Sequence, residues 1–134
     1  MQTNDTAKEC ARARRKRQAA DTKGRQSENY AAQWLINQGY RILGNRLRTS
    51  GGEIDLVAQN ESVLAFIEVK ARASERAGLE AVTLRQRRRL VAAAMIILAA
   101  QPDWLRPDIR FDLIVVTGAT VHHWPAAFRA DDEA

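Results

Sequence analysis

A chain of 134 residues with 46% apolar content is long enough for one hydrophobic core and too short for two sizeable domains. Its single cysteine, Cys10, excludes a disulfide framework and a cysteine-built zinc cluster, and points to a reducing, cytoplasmic compartment. The longest apolar run, Leu90 to Ala100, is about half of the roughly 20 residues a bilayer requires, and the N-terminus lacks the apolar stretch of a secretory signal, so neither a membrane span nor export is expected.

The net charge of +5 is uneven. Residues 1–23 carry seven Lys/Arg against three acids, and Asp131-Asp132-Glu133 closes the chain with an acidic tail. This divides the sequence into a basic arm (1–23), flexible or helical, one domain (24–128) and a tail (129–134). An arm such as Arg12-Ala13-Arg14-Arg15-Lys16-Arg17 fits either a phosphate-contacting segment or a solubilising extension.

From Arg25 to Gln38 the spacing predicts an amphipathic helix stopped by Gly39. Ala31, Ala32 and Leu35 follow Glu28 at helical spacing, which puts this acid on the apolar stripe. Either the helix dipole favours it there, or it reaches over the sheet towards other acids. Tyr40 to Thr49 reads as a strand with Arg41, Arg46 and Arg48 on its polar side.

Two further strands carry the most informative residues. In Gly51-Gly52-Glu53-Ile54-Asp55-Leu56-Val57-Ala58 the acids alternate with Ile54, Leu56 and Ala58. In Val63-Leu64-Ala65-Phe66-Ile67-Glu68-Val69-Lys70 a charged pair interrupts an apolar run that reads as a buried central strand. Side chains on a strand have period two, so Glu53 shares a face with Asp55, and Glu68 with Lys70. A turn at Asn60-Glu61-Ser62 folds the strands into a hairpin in which Asp55 and Glu68 are directly opposite or diagonal. Facing carboxylates destabilise a hairpin unless a cation lies between them. Lys70 answers one charge, and a hard divalent cation such as Mg²⁺ or Mn²⁺ would answer the rest. That set suits metal-assisted phosphodiester hydrolysis. The alternative is a surface hairpin with solvated charges.

After a loop, Ala71 to Gly78, one long helix is expected from Leu79 to Gln101, ended by Pro102. Its first half carries Arg85, Arg87, Arg88 and Arg89; its second half is apolar all round and so expected to pack on several sides. The arginines suit bidentate phosphate contacts, or else form a solvated helix turn. Asp108 to Thr117 is a strand with Phe111, Leu113 and Val115 on one face, and Ala119 to Trp124 a last one. The order α-β-β-β-α-β-β gives a mixed five-stranded sheet with helices on its faces and a parallel β-α-β crossover. His122 and His123 point to opposite faces of their strand and cannot chelate together. Asp112 is expected to organise hydrogen bonds with an arginine, and Trp34 and Trp104 to pack in the core or an interface.

Gly24-Arg25-Gln26-Ser27-Glu28, Gly39-Tyr40-Arg41-Ile42-Leu43, Gly52-Glu53-Ile54-Asp55-Leu56-Val57-Ala58, Phe66-Ile67-Glu68-Val69-Lys70-Ala71-Arg72 and Arg110-Phe111-Asp112 occur in order. Over about residues 23–117 the chain resembles the YraN-type family of bacterial proteins. An acid followed by Glu-x-Lys on the next strand is similar to the PD-(D/E)xK nuclease motif; Ile54 stands at the variable proline position. The resemblance implies a restriction-endonuclease-like, three-layer α/β/α fold related to Holliday-junction resolvases. It also implies a metal held by Asp55, Glu68 and the Val69 carbonyl, with Lys70 serving the attacking water, and Glu28 and Glu53 as accessory acids. Gln86 falls where some related nucleases place a polar helix residue. Arg48, Arg72, Arg85, Arg87 and Arg88 are the candidate nucleic-acid contacts. The expected activity is metal-dependent cleavage of DNA, branched or damaged, with a homodimer supplying two sites. The competing readings are a non-catalytic nucleic-acid-binding module and a protein-interaction scaffold.

Overall fold

The computed structural model describes residues 2–130, without the side chains of residues 2–5 and 19–21. The acidic end, residues 131–134, lies outside the described residues. The elements are α1 (Gln2–Asn37), β1 (Arg41–Thr49), β2 (Gly52–Gln59), β3 (Val63–Ala71), α2 (Glu75–Ala81), α3 (Leu84–Ala100), a single 3₁₀ turn (Pro102–Trp104), β4 (Asp108–Thr117) and β5 (Thr120–Phe128). The sheet order is β1-β2-β3-β4-β5, with β3 and β4 parallel and the other neighbours antiparallel. The expected mixed α/β architecture is therefore present. No helix among the described residues is long and apolar enough to cross a membrane.

The strand pattern explains why both faces are covered. On β3, Leu64 and Phe66 face one side and Val63, Ala65 and Ile67 the other, and all are buried. The first set packs with Leu90, Ala93, Ala94 and Ile97 of α3 and with Phe111, Leu113 and Val115 of β4. The second packs with Ala31 and Leu35 of α1 and with Ile114 and Val116. A sheet apolar on both faces needs a helix layer on each, and α1 and α3 supply them.

α1 runs through the basic arm without a break, so the arm is helical. Gly39, with φ +93°, follows its end: its N–H donates to the Ile36 carbonyl and that of Tyr40 to the Leu35 carbonyl. The turn before β3 forms as expected, the Asn60 side chain accepting the Ser62 and Val63 N–H groups.

Three expectations change. The single helix from Leu79 is two helices, because Thr83 and Gln86 form a reciprocal capping box that starts α3 afresh, while Ser74 caps α2. The second half of α3 packs on one side only, since Met95 and Ile96 are exposed. Regular alternation fails in β2: Ile54 and Val57 join the α3-side core, whereas Leu56 and Ala58 join the α1 side. The irregularity falls at Asp55.

Candidate active site

β2 and β3 pair from Gln59–Leu64 to Leu56–Ile67. One step further, that register sets Asp55 opposite Glu68. There the Asp55 side chain itself bridges the strands: Oδ2 accepts the Val69 N–H at 2.8 Å. The N–H and C=O of one strand residue point to the same edge, so the Val69 carbonyl also faces β2. Lys70 Nζ lies 3.0 Å from Glu68 Oε1, with both side chains largely buried. Glu28, buried on α1, accepts from Arg46 Nε at 2.7 Å.

This is a crowded set of acids. Burial, and next the Glu68 charge, push the Asp55 carboxyl up to about 8; Glu28 adds to the push, while the Val69 N–H and Lys70 oppose it. Arg46 is engaged with Glu28, and Lys70 is paired with Glu68. The bonds to Val69 and Lys70 leave Asp55 Oδ1 and Glu68 Oε2 available.

A cavity of about 360 Å³ opens on this pair, lined by Gly52, Glu53, Asp55, Glu68, Gln86 and Arg89. The β1–β2 turn brings α3 to it. Thr49 Oγ1 accepts the N–H groups of Gly51 and Gly52 and donates to the Gly52 carbonyl. Gly52 has φ +149°, and a Cβ there would come 3.2 Å from the Arg89 carbonyl oxygen. Only glycine combines that backbone with so close an approach. Gln86 and Arg89 are three residues apart, so they share a face of α3 and reach the cavity together.

Among the described residues no three Asp, Glu, His or Cys side chains close into a metal cage. The donors present are two carboxylate oxygens and a backbone carbonyl. They fit a hard divalent cation that retains several waters, and not a fully caged ion.

The structure thus brings together Glu28, Asp55, Glu68 and Lys70, with Glu53 on the cavity rim. Glu53 is paired with the exposed Arg48 at 3.5 Å. Arg85 and Arg88 are exposed on α3 but do not line the cavity. Arg72 is exposed at the end of β3, its Nη1 donating to the Ala71 carbonyl. Arg87 turns elsewhere: its guanidinium lies 5.3 Å from the Phe128 ring centroid, with Nε buried and without a hydrogen-bond partner.

Two arginines noted in the sequence were not placed at the site. Arg89 was visible in the arginine cluster, and its spacing from Gln86 singles it out once α3 is known to start at Leu84. Arg46 gave no signal, since its reach to Glu28 depends on how α1 crosses β1.

Asp112, fully buried, stands in contrast. It accepts from Arg110 at 2.7 and 2.8 Å and from the Ala126 N–H at 2.9 Å, and His123 Nε2 lies 2.8 Å away. Burial would raise its pKa, but the bonds to His123, Arg110 and the Ala126 N–H outweigh burial and lower it. Arg110 also donates to the Tyr40 hydroxyl, and His123 meets Trp34 and Tyr40 edge-on. His122 faces the other way, towards Thr117 and Glu75.

Residues 27–116 match the model of the uncharacterised protein family UPF0102, a span that holds every residue of the site. The chain belongs to that family. A UPF0102 protein of Acidiphilium cryptum is 51% identical over 87% of this chain and 91% of its own length. One from Azorhizobium caulinodans is 48% identical over 78% of this chain and 79% of its own. A third, from Granulibacter bethesdensis, is 45% identical over 85% and 73% respectively. The UPF0102 match begins after the basic arm (1–23), at Ser27.

Proposed function

We propose that the chain is a metal-dependent endonuclease of the PD-(D/E)xK type that hydrolyses phosphodiesters in DNA. One observation carries the reading: the carboxylates of Asp55, bonded to the Val69 N–H, and Glu68, paired with Lys70, line one cavity together with Arg89. Asp55 and Glu68, with the Val69 carbonyl, would hold Mg²⁺ or Mn²⁺. When bound, the cation supplies positive charge to the scissile phosphate and acidifies water.

The side chains divide the remaining work. The Val69 N–H fixes the Asp55 carboxylate on one oxygen and aims the other into the cavity. Glu68 holds the Lys70 ammonium beside it, where it can orient the attacking water and balance charge on the pentavalent phosphorus. Arg89 offers a planar donor to a non-bridging phosphate oxygen. Arg46 neutralises Glu28, so that Glu28 supports the site without adding a full uncompensated charge.

The test is cleavage of labelled single-stranded, duplex, flapped and four-way-junction DNA with Mg²⁺ or Mn²⁺, beside Asp55→Ala and Lys70→Ala proteins. Cleavage lost in both variants is the expected result. Salt-sensitive binding without cleavage on any substrate would replace the reading with that of a non-catalytic binding module.

A further inference from the structure

We infer that the solvent face of α1 is a nucleic-acid track ending in a stacking subsite for an unpaired base, next to the carboxylate site. It extends the endonuclease reading and rests on it only for the identity of the neighbouring site.

A second cavity, of about 280 Å³, includes Lys23, Tyr30 and Arg72 in its lining. Its walls are the chain neighbours of the site residues. Ser27, which precedes Glu28, and Ala71, which follows Lys70, both line it. The cavity therefore lies across the C-terminal end of β3 from the carboxylates, on the α1 side of the sheet.

Its lining suits a nucleotide. Tyr30, a large aromatic ring, is 49% exposed on α1. Lys23 and Arg72 are exposed cations, and among the described residues neither is in an ion pair. An open aromatic face flanked by cations is what an unpaired base and its two phosphates require.

The arm of α1 leads to this subsite. Lys8, Arg12, Lys16, Lys23 and Tyr30 follow one another in steps of four, four, seven and seven residues, which on a continuous α-helix keeps them on one face. From Lys8 to Tyr30 the rise is about 33 Å, close to ten base-pair steps of a duplex. Among the described residues, the cations of this face are exposed and unpaired. Glu9, one residue from Lys8, borders the outer end. A row of unpaired cations at helical pitch has charge complementarity to a phosphate backbone. The aromatic stop at its inner end selects DNA in which pairing is interrupted beside the cut. The substrate class that follows is a forked, flapped or gapped DNA, with the duplex on the arm and the first unpaired base on Tyr30.

The experiment is fluorescence anisotropy on the full chain in EDTA, so that binding is read without cleavage, with forked and blunt duplex DNA of equal length. Tyr30→Ala should weaken binding to the fork by about 5- to 100-fold and leave the blunt duplex unaffected, while Tyr30→Phe keeps the parent affinity. The K8Q/R12Q/K16Q protein should weaken both and flatten the log–log salt slope by about 0.9 for each phosphate it no longer neutralises. Tyr30→Ala binding the fork like the parent, Tyr30→Phe falling as far as Tyr30→Ala, or an unchanged salt slope would overturn the proposal. If these effects appear but no divalent cation supports cleavage, the track stands and the hydrolytic reading fails. If Lys70-dependent cleavage is present while Tyr30→Ala changes neither binding nor cleavage of the fork, the track fails alone.

Discussion

Two aspartates of this sheet, Asp112 and Asp55, are held in opposite ways. Asp112 has both oxygens bonded, to an arginine, a histidine and a backbone N–H, and its pKa is lowered. Asp55 has one bonded oxygen and, opposite it, an acid paired with a lysine, and its pKa is raised to about 8. A fully satisfied buried charge ties elements together. A partly satisfied one, open to a cavity, is a place where a ligand completes the structure.

That contrast makes the two sites fail differently when cut. Asp112→Ala removes the fully buried acceptor of Arg110, His123 and the Ala126 N–H and should cost about 3 kcal/mol of stability, read by denaturant unfolding. If its loss is near zero, the network does not hold β4 to β5. Lys70→Ala leaves Glu68 without its paired cation, so it should cost some stability as well and lower Mg²⁺-dependent cleavage by about 100-fold or more; a variant that cuts at the parent rate would separate Lys70 from the chemistry. Gly78→Ala probes neither site but the layer over them. A Cβ there would collide with Val115, and an overpacked core of this kind typically loses about 1–3 kcal/mol.

The smaller effects sharpen the electrostatics. The folded protein holds the Asp55 proton more tightly than the unfolded chain, whose carboxyl keeps its usual value of 3.8. Stability attributable to Asp55 is therefore highest below pH 3.8, falls as pH rises to about 8, and is flat above. Asp55→Asn can still accept the Val69 N–H but cannot ionise. Its melting temperature should exceed the parent's by several degrees at pH 8, with the difference vanishing near pH 4. Asp112 has the opposite sign: its contribution is present above its unfolded value of 3.8 and is lost as pH falls through the lower folded one. Mg²⁺ or Mn²⁺ should raise the parent melting temperature, with about 2.7 kcal/mol gained at one hundred times the dissociation constant. Asp55→Asn and Asp112→Asn should then part: the first loses the metal response and the second, where folded, retains it.

Much of this was legible before any coordinates. The unbroken apolar run 63–67 marks a strand buried on both faces, Phe111, Leu113 and Val115 share one face as expected, and the hairpin turn at Asn60 narrows the register to two choices, of which the structure takes the directly opposed one. Helical spacing put Glu28 on the inner stripe, where it is buried. The helix boundary at Thr83 was also written locally, as a Thr-x-x-Gln box, but the continuous helical pattern around it masked the signal.

The chain's local chemistry thus determined most of the element types, the faces their side chains occupy outside β2, and the pairing of Glu68 with Lys70, because each depends on residues a few positions apart. The tertiary structure decided which charges meet across elements. That Arg46 neutralises Glu28, that Arg89 and not Arg87 lines the cavity of the carboxylates, and that Tyr30 shares a cavity with Arg72 all follow from how two helices dock on a sheet. Docking is set by packing summed over both core faces, and no short stretch of sequence contains that sum.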